Sequence, residues 1–234
     1  MSRHPNDFYH YMVRWSFFVI GLIILALGIS LTIQAKVLGI GPWDVFHYGL
    51  FVQLGLTIGT WAIIAGLVIV AVTSIAQKQW PQIGTVLNMV LIGVFIDFFN
   101  WVLPEPEQLW VAIVVFIIGT IVMAYGIGIY VAPGMGAGPR DSLMLVLTEA
   151  TGWKVSTVRN WNEIIIALLG WMLGGPVGIG TVIIALFLGT MVGFSLPQAK
   201  QLLNFFLKKG EKHENIYKGP VRPDNHDRTG EEVR

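Results

Sequence analysis

The sequence predicts an all-α protein with several membrane-spanning helices, and three observations support this. Of its 234 residues, 54% are hydrophobic and only 12% are charged, whereas a soluble domain is typically about 25% charged. Uncharged stretches extend over about twenty residues, the length that crosses a hydrocarbon core roughly 30 Å thick. Two motifs also recur in the same order along the chain, which indicates a tandem duplication. A polytopic membrane protein is therefore expected, and a soluble enzyme is excluded.

Six segments are long and apolar enough to span a membrane, at about 15–35, 57–76, 83–103, 109–132, 155–174 and 179–196. The first has 21 uncharged residues after Arg14, more than the apolar region of a cleavable signal peptide, so it predicts a membrane helix. Two shorter segments, about 44–54 and 141–151, follow Gly-Pro turns. They are too short and too polar to span alone, and we expect re-entrant or interfacial helices there.

The chain is expected to divide into four parts. A cytoplasmic N-terminal segment, 1–13, precedes two membrane repeats, 14–104 and 105–199. A cytoplasmic and largely disordered tail, 200–234, follows. This tail holds 14 of the 29 Lys, Arg, Asp and Glu residues of the chain, a composition typical of disordered segments.

The repeats are visible as two pairs of matching motifs. The first pair has the pattern G-x-G-P-x-D and lies 97 residues apart, at 39–44 and at 136–141. The second pair has the pattern I-G-T-V and lies 96 residues apart, at 83–86 and at 179–182. Each repeat thus predicts a helix, a Gly-Pro turn, a short helix and two further helices. We expect the structural turn residues to be Gly39, Gly41, Pro42, Gly136, Gly138 and Pro139, because Gly permits positive φ and Pro ends a helix.

Charge placement predicts how the two repeats face the membrane. Arg3 and Arg14 precede the first span, and several Lys residues follow the last, so the positive-inside rule places both termini in the cytoplasm. Six spans fit the charges better than eight, and only Lys36 is then on the wrong side. Three spans per repeat make the repeats inverted with respect to each other, an arrangement common in secondary transporters.

The two aspartates of the repeated turn are the first candidates for binding a solute. Asp44 and Asp141 stand where an N-cap residue belongs, so each is expected to accept hydrogen bonds from the start of its short helix. The alternative is that two broken helices meet near the midplane and present their ends and carboxylates to a solute. The two interpretations are compatible, because a capping carboxylate can also line a cavity.

A second polar group lies at the start of the fifth predicted span. Arg159 and Glu163 are four residues apart, so they share a helical face and can neutralise each other. Ionisable residues within a bilayer are costly and are candidates for function by default. An ion pair that only docks this helix near the inner surface is the alternative. Arg140, next to Asp141, is expected to hold an anionic group or to pair with Glu163.

Several kinds of chemistry are not expected. The chain has no cysteine, which removes disulfides and thiolate chemistry. His47 is the only histidine of the membrane region, so packing is expected for it, and no metal or other cofactor is predicted. Ser195 has no plausible histidine partner, so no catalytic residue is assigned. No basic face of the kind that binds nucleic acid recurs along the chain.

With these residues located, the chain resembles the YczE/YyaS/YitT group of bacterial integral membrane proteins, and its YczE-like branch in particular. The resemblance extends from about Arg14 to Pro197. It rests on the stretches 39–44, 58–61, 81–88, 136–144, 157–159 and 170–181, and on Glu163. It implies a location in the bacterial plasma membrane and does not itself assign an activity.

Two functions are consistent with these patterns. The first is a transporter or binder of a small solute at the interface between inverted repeats, with Asp44, Arg140, Asp141, Arg159 and Glu163 as the polar lining. The second is a non-transporting accessory or regulatory protein that acts on a partner protein through its cytoplasmic tail. The expected partners are the lipid bilayer, a small solute or a membrane protein, and a second copy of the chain in a homo-oligomer.

Overall fold

The computed structural model describes residues 5–136 and 138–217, and within them every regular element is helical. Ala137 lies outside the described residues, as do 1–4 of the predicted N-terminal segment and 218–234 of the predicted tail. The eight α-helices are α1 (Pro5–Gln34), α2 (Pro42–Leu54), α3 (Ile58–Gln77), α4 (Ile83–Val102), α5 (Leu109–Val131), α6 (Pro139–Thr151), α7 (Val155–Met172) and α8 (Ile179–Tyr217). The fold class is therefore the predicted one, and α2 and α6 are the two predicted short helices.

The centre of the fold is the contact between α1 and α5, which run antiparallel. Gly21 of α1 lies against Tyr130 of α5, and Gly28, seven residues further along α1, lies against Met123. A Cβ added at Gly28 would be 2.4 Å from the Met123 backbone nitrogen, closer than any real side chain approaches. The two backbones therefore touch, as small residues allow in membrane helices.

The remaining helices are arranged around this central pair. Helix α4 packs on α1, and α8 packs on α5. Helix α3 lies between α4 and α6, while α2 packs on α7. Each short helix thus packs against the third helix of the other repeat. The α2–α7 and α3–α6 contacts are therefore reciprocal between the two halves of the chain.

The repeated turns make the same kind of contact in both halves. Gly39 has a φ of +89° and lies against Gly178 and the Thr181 side chain, at the start of α8. Gly136 has a φ of +144° and lies against Gly84 and Thr85, at the start of α4. The G-x-G-P-x-D turn of each half therefore packs on the I-G-T-V motif of the other half. Gly is required at both positions, since the backbone angles and the close approach exclude a side chain.

The span count differs from the sequence prediction at one helix. Within the described residues, five helices are long and apolar enough to cross a membrane, namely α1, α3, α4, α5 and α8. Helix α7 is not among them, because its 18 residues include Arg159, Asn160, Asn162 and Glu163. By length and composition, five of the six predicted spans therefore qualify as membrane-spanning helices within the described residues.

Both ends of the membrane region are more helical than predicted. Helix α1 begins at Pro5, so the segment expected at 1–13 is helical from that residue on. Helix α8 continues beyond the predicted span 179–196, through Pro197 to Tyr217, so it includes the first part of the tail expected at 200–234. The extension packs against α1, since Leu203 is buried and the Tyr9 hydroxyl donates a hydrogen bond to the Phe206 carbonyl.

Lys36, the one charge on the wrong side by the positive-inside count, has a local partner. It forms an ion pair with Glu105 in the α4–α5 connection and also lies over the Tyr48 ring, 5.9 Å from its centroid. The two connections therefore share one face of the protein. Because Glu105 neutralises the charge of Lys36, this residue is weak evidence against the orientation of the membrane helices predicted by the positive-inside rule.

We predict that the α1–α5 contact does not tolerate a side chain. Gly28→Ala forces its Cβ into the Met123 backbone and is expected to lower stability by about 1–3 kcal/mol, as overpacking does. Gly193→Ala in α8 is the matched control, because a Cβ there meets nothing within 4 Å. Thermal unfolding of both purified variants in detergent measures the difference. Equal unfolding temperatures would contradict the central role of this contact.

Candidate functional site

A cavity of about 380 Å³ lies at the meeting point of the two repeats. All eight helices contribute to its lining, and its volume is within the range of small-molecule sites. One part of the wall is apolar and includes Leu25, Ile29, Met89 and Met123. The other part carries the charged residues. This combination of an apolar wall and a few polar groups is typical of a binding site for a small organic solute.

Matching positions of the two halves line the same cavity. Leu25 and Met123 are 98 residues apart, Asp44 and Asp141 are 97 apart, and all four line the cavity. The third helices differ, however. Where α3 contributes Ala62, Ala65 and Gly66, α7 contributes Arg159, Asn162 and Glu163 at positions 97 residues later. The third helix of one half therefore contributes small, apolar residues to the lining, whereas the third helix of the other half contributes charged and amide residues.

The first charged pair joins the two short helices. A guanidinium nitrogen of Arg140 on α6 lies 3.6 Å from the Asp44 Oδ1 atom on α2. The side chain of Asp44 is only 4% exposed, whereas that of Arg140 is 41% exposed. The Arg140 guanidinium also lies 5.0 Å from the centroid of the Trp43 ring, in cation–π contact. Arg140 thus compensates a buried carboxylate and remains accessible from the cavity.

The second charged pair lies on α7. The Arg159 Nε atom donates a hydrogen bond of 3.2 Å to Glu163 Oε1, which confirms the pairing predicted from their spacing. The Arg159 side chain is 44% exposed and that of Glu163 is 18% exposed. Both residues are part of the cavity lining.

The fifth charged residue, Asp141, has a different environment. Within the described residues it forms no ion pair shorter than 4 Å, although Arg140 and Arg159 are its charged neighbours. It is exposed to the cavity. Asp141 Oδ2, Asn88 Oδ1 and the Tyr130 hydroxyl converge beside Gly138, each 3.5 or 3.6 Å from the position of a Cβ on that glycine. Three helices therefore bring three oxygen atoms to one edge of the cavity.

Three buried polar atoms of the lining have no hydrogen-bond partner among the described residues. They are Asp44 Oδ1, His47 Nδ1 and Asn88 Nδ2, and their residues are at most 3% exposed. An unsatisfied buried polar group costs about 1–3 kcal/mol. Three such atoms around one cavity indicate that polar atoms of a solute or of water complete their hydrogen bonds.

The structure brings together all five residues predicted to bind a solute. Sequence reasoning expected Arg140 to hold an anionic group or to pair with Glu163, but the ion pair that Arg140 forms is with Asp44. It also expected Asp44 and Asp141 to be N-caps, which is wrong. The N-cap residues are Gly41 and Gly138, and each aspartate is the third residue of its helix. Starting the helix at the proline satisfies its fixed φ, so the cap moves to the preceding glycine.

Other residues of the lining were not predicted as binding residues. Trp43, Asn88 and Tyr130 contribute polar or aromatic groups, and His47 is buried in the lining, not only packed. The sequence could have indicated Trp43, because it lies between Pro42 and Asp44 in the repeated motif. It could not have indicated Tyr130, because aromatic residues are common near the ends of membrane helices.

Comparison with known proteins shows one family. The family of unknown function DUF6198 matches residues 12–197. The "uncharacterized membrane protein YczE" of Bacillus subtilis is 55% identical over 194 residues, which cover 83% of this chain and 90% of that protein. An "uncharacterized protein" of Haemophilus influenzae is 32% identical, covering 77% and 82%, and "YyaS" of B. subtilis is 26% identical, covering 86% and 99%. No solved structure matches the chain significantly.

We predict that Arg140 and Asp44 are energetically coupled. Arg140→Gln leaves a buried carboxylate without its cation and is expected to lower stability by about 1–3 kcal/mol, less than for a fully buried pair because Arg140 is partly exposed. In the double variant with Asp44→Asn the buried charge is gone, so most of the loss is recovered. Thermal unfolding of the wild type, both single variants and the double variant measures the coupling. Simple additivity of the two single losses would show that the residues do not interact.

Proposed function

The chain belongs to the DUF6198 family of membrane proteins, and from the geometry of its cavity we propose that it binds a small solute there and moves it across the membrane. The family match confirms the resemblance drawn from the motifs. The family match does not assign an activity, because the family is one of unknown function. The proposal therefore depends on the site.

The observation that carries the proposal is the lining of one cavity by matching positions of both halves. The first turns of α2 and α6 both border it, with Asp44 and Asp141 as the matched pair. In secondary transporters built from inverted repeats, broken helices bring their ends to a solute at the repeat interface. The first turns of α2 and α6, one from each half of the chain, border the cavity of this protein in a similar way.

The packing of the two halves also supports movement. The antiparallel contact of α1 and α5 lies beside the cavity, and Leu25, Ile29, Met123 and Ile127 belong to both. Within the described residues it involves no ion pair. Such an apolar contact lets one half rock against the other, so that the cavity opens to each side in turn.

A hydrolytic enzyme would need an accessible nucleophile, and Ser195, which has no plausible histidine partner in the sequence, is buried. Ser195 is 1% exposed, and its hydroxyl donates a 2.7 Å hydrogen bond to the Ala124 carbonyl. This bond connects α8 to α5. A serine in this position holds two helices together and has no access to a substrate, so we propose a function without chemical turnover.

The prediction that tests transport uses the absence of native cysteine. Ala65→Cys places a thiol on the cavity wall of α3. We expect a membrane-impermeant maleimide to label it both in intact cells and in inside-out vesicles, because alternating access opens the cavity to each side. Leu67→Cys is the control. Leu67 is 57% exposed and is not part of the lining, so it faces lipid, where maleimide does not react.

Each other labelling pattern would contradict part of the proposal. Labelling of Ala65→Cys from one side only would leave a solute-binding protein that does not transport. No labelling from either side, with a correctly inserted protein, would show that the cavity is closed to water and would overturn the proposal.

A further inference from the structure

The cavity has the shape and chemistry of a site for a molecule with one apolar and one polar end. Its α3 side consists of Ala62, Ala65, Gly66 and Ile69. The five charged residues of the lining lie on α7 and on the first turns of α2 and α6. Because α3 and α7 are matching helices of the two halves, the difference between their contributions lies in their side chains.

The charges of the lining nearly cancel. The three carboxylates and two guanidinium groups sum to a formal charge of −1. The first turns of α2 and α6 also border the cavity, and each helix N-terminus contributes about half a positive charge. The site as a whole is therefore close to neutral, and a solute without net charge fits it best.

Opposite charges nevertheless remain available at two adjacent residues. Arg140 is accessible, and its contact to Asp44 at 3.6 Å is longer than a hydrogen bond. Asp141 is exposed to the cavity and forms no ion pair within 4 Å in the described part of the chain. A guanidinium is a planar fork that matches a carboxylate. The three oxygens beside Gly138 match the three N–H donors of a primary ammonium group.

We propose that the solute is a small amphiphilic zwitterion of the α-amino acid type with an aliphatic or aromatic side chain. Its ammonium group binds Asp141, Asn88 Oδ1 and the Tyr130 hydroxyl, and its carboxylate binds Arg140. Its apolar side chain lies against Ala62, Ala65 and Gly66. The proposal rests on the proposed function, in that this cavity is the solute site.

The buried atoms without partners support a ligand that carries both donors and acceptors. His47 Nδ1 and Asn88 Nδ2 lack partners among the described residues and lie in the same lining. A purely apolar solute would leave them unsatisfied. A zwitterion brings polar atoms of both kinds to this side of the cavity.

The test compares leucine with the two molecules that lack one of its charged groups. The purified full-length chain in lipid nanodiscs is titrated by calorimetry with leucine, with 3-methylbutylamine and with 4-methylpentanoate. We expect leucine to bind and each analogue to bind at least tenfold more weakly, because each leaves Arg140 or Asp141 without its counter-charge. Phenylalanine, 2-phenylethylamine and 3-phenylpropanoate form a second series with the same expected order.

Two variants test which residue binds each charged group of the solute. Asp141→Asn is expected to weaken leucine binding at least tenfold and to leave the binding of 4-methylpentanoate nearly unchanged. Arg140→Gln is expected to weaken leucine and to leave 3-methylbutylamine nearly unchanged. Gly193→Ala serves as the control for handling, because Gly193 is not part of the lining and a Cβ there meets nothing within 4 Å. Size-exclusion elution confirms that each variant is folded.

The possible contrary results are distinguishable. If the amine binds as tightly as leucine, the site takes a cation, and if the acid does so, the site takes an anion; either result overturns the zwitterion. If none of the six molecules binds while Ala65→Cys is labelled from both sides, the solute class is wrong and the proposed function stands. If leucine binds but Ala65→Cys is labelled from one side only, the solute class stands and transport is wrong.

Discussion

The backbones of α1 and α5 touch at the centre of the fold, where these two helices form the most extensive contact between elements. Gly21 and Gly28 remove the side chains that would otherwise hold the two helices apart, and Gly119 and Gly126 do the same from the other side. In a bilayer the hydrophobic effect does not drive helices together, so close van der Waals packing has to supply the association. Helices α4 and α8 then attach to the two outer faces of this pair.

The cavity lies beside this central contact. Residues of α1 and α5 line it together with the first turns of the shorter α2 and α6. Charges placed there are shielded from lipid and compensate one another, as Arg140 does for Asp44 across the two repeats. A membrane protein tolerates ionisable groups in such a place because their cost is offset by partners and by a polar solute or water.

The sequence predicted those features that depend on residues close together in the chain. The apolar stretches gave the long helices, the positive φ of Gly39 and Gly136 followed from the repeated turn, and the Arg159–Glu163 pair followed from helical spacing. Contacts between distant residues had no such signal. The pairing of Arg140 with Asp44 spans 96 residues, and the oxygen cluster of Asn88, Tyr130 and Asp141 depends on three helices. The continuation of α8 beyond Pro197 also depends on a distant contact, with α1.

Opposite orientation of the two repeats is the central claim, and the last residues of α2 and α6 test it most directly. Leu54 and Thr151 are exposed and 97 residues apart, so they are matching positions. Single cysteines at the two sites are labelled in intact cells with an impermeant maleimide. The account predicts that Leu54→Cys reacts at once and that Thr151→Cys reacts only after the membrane is opened. Equal labelling of both from the same side would mean parallel repeats and would contradict it.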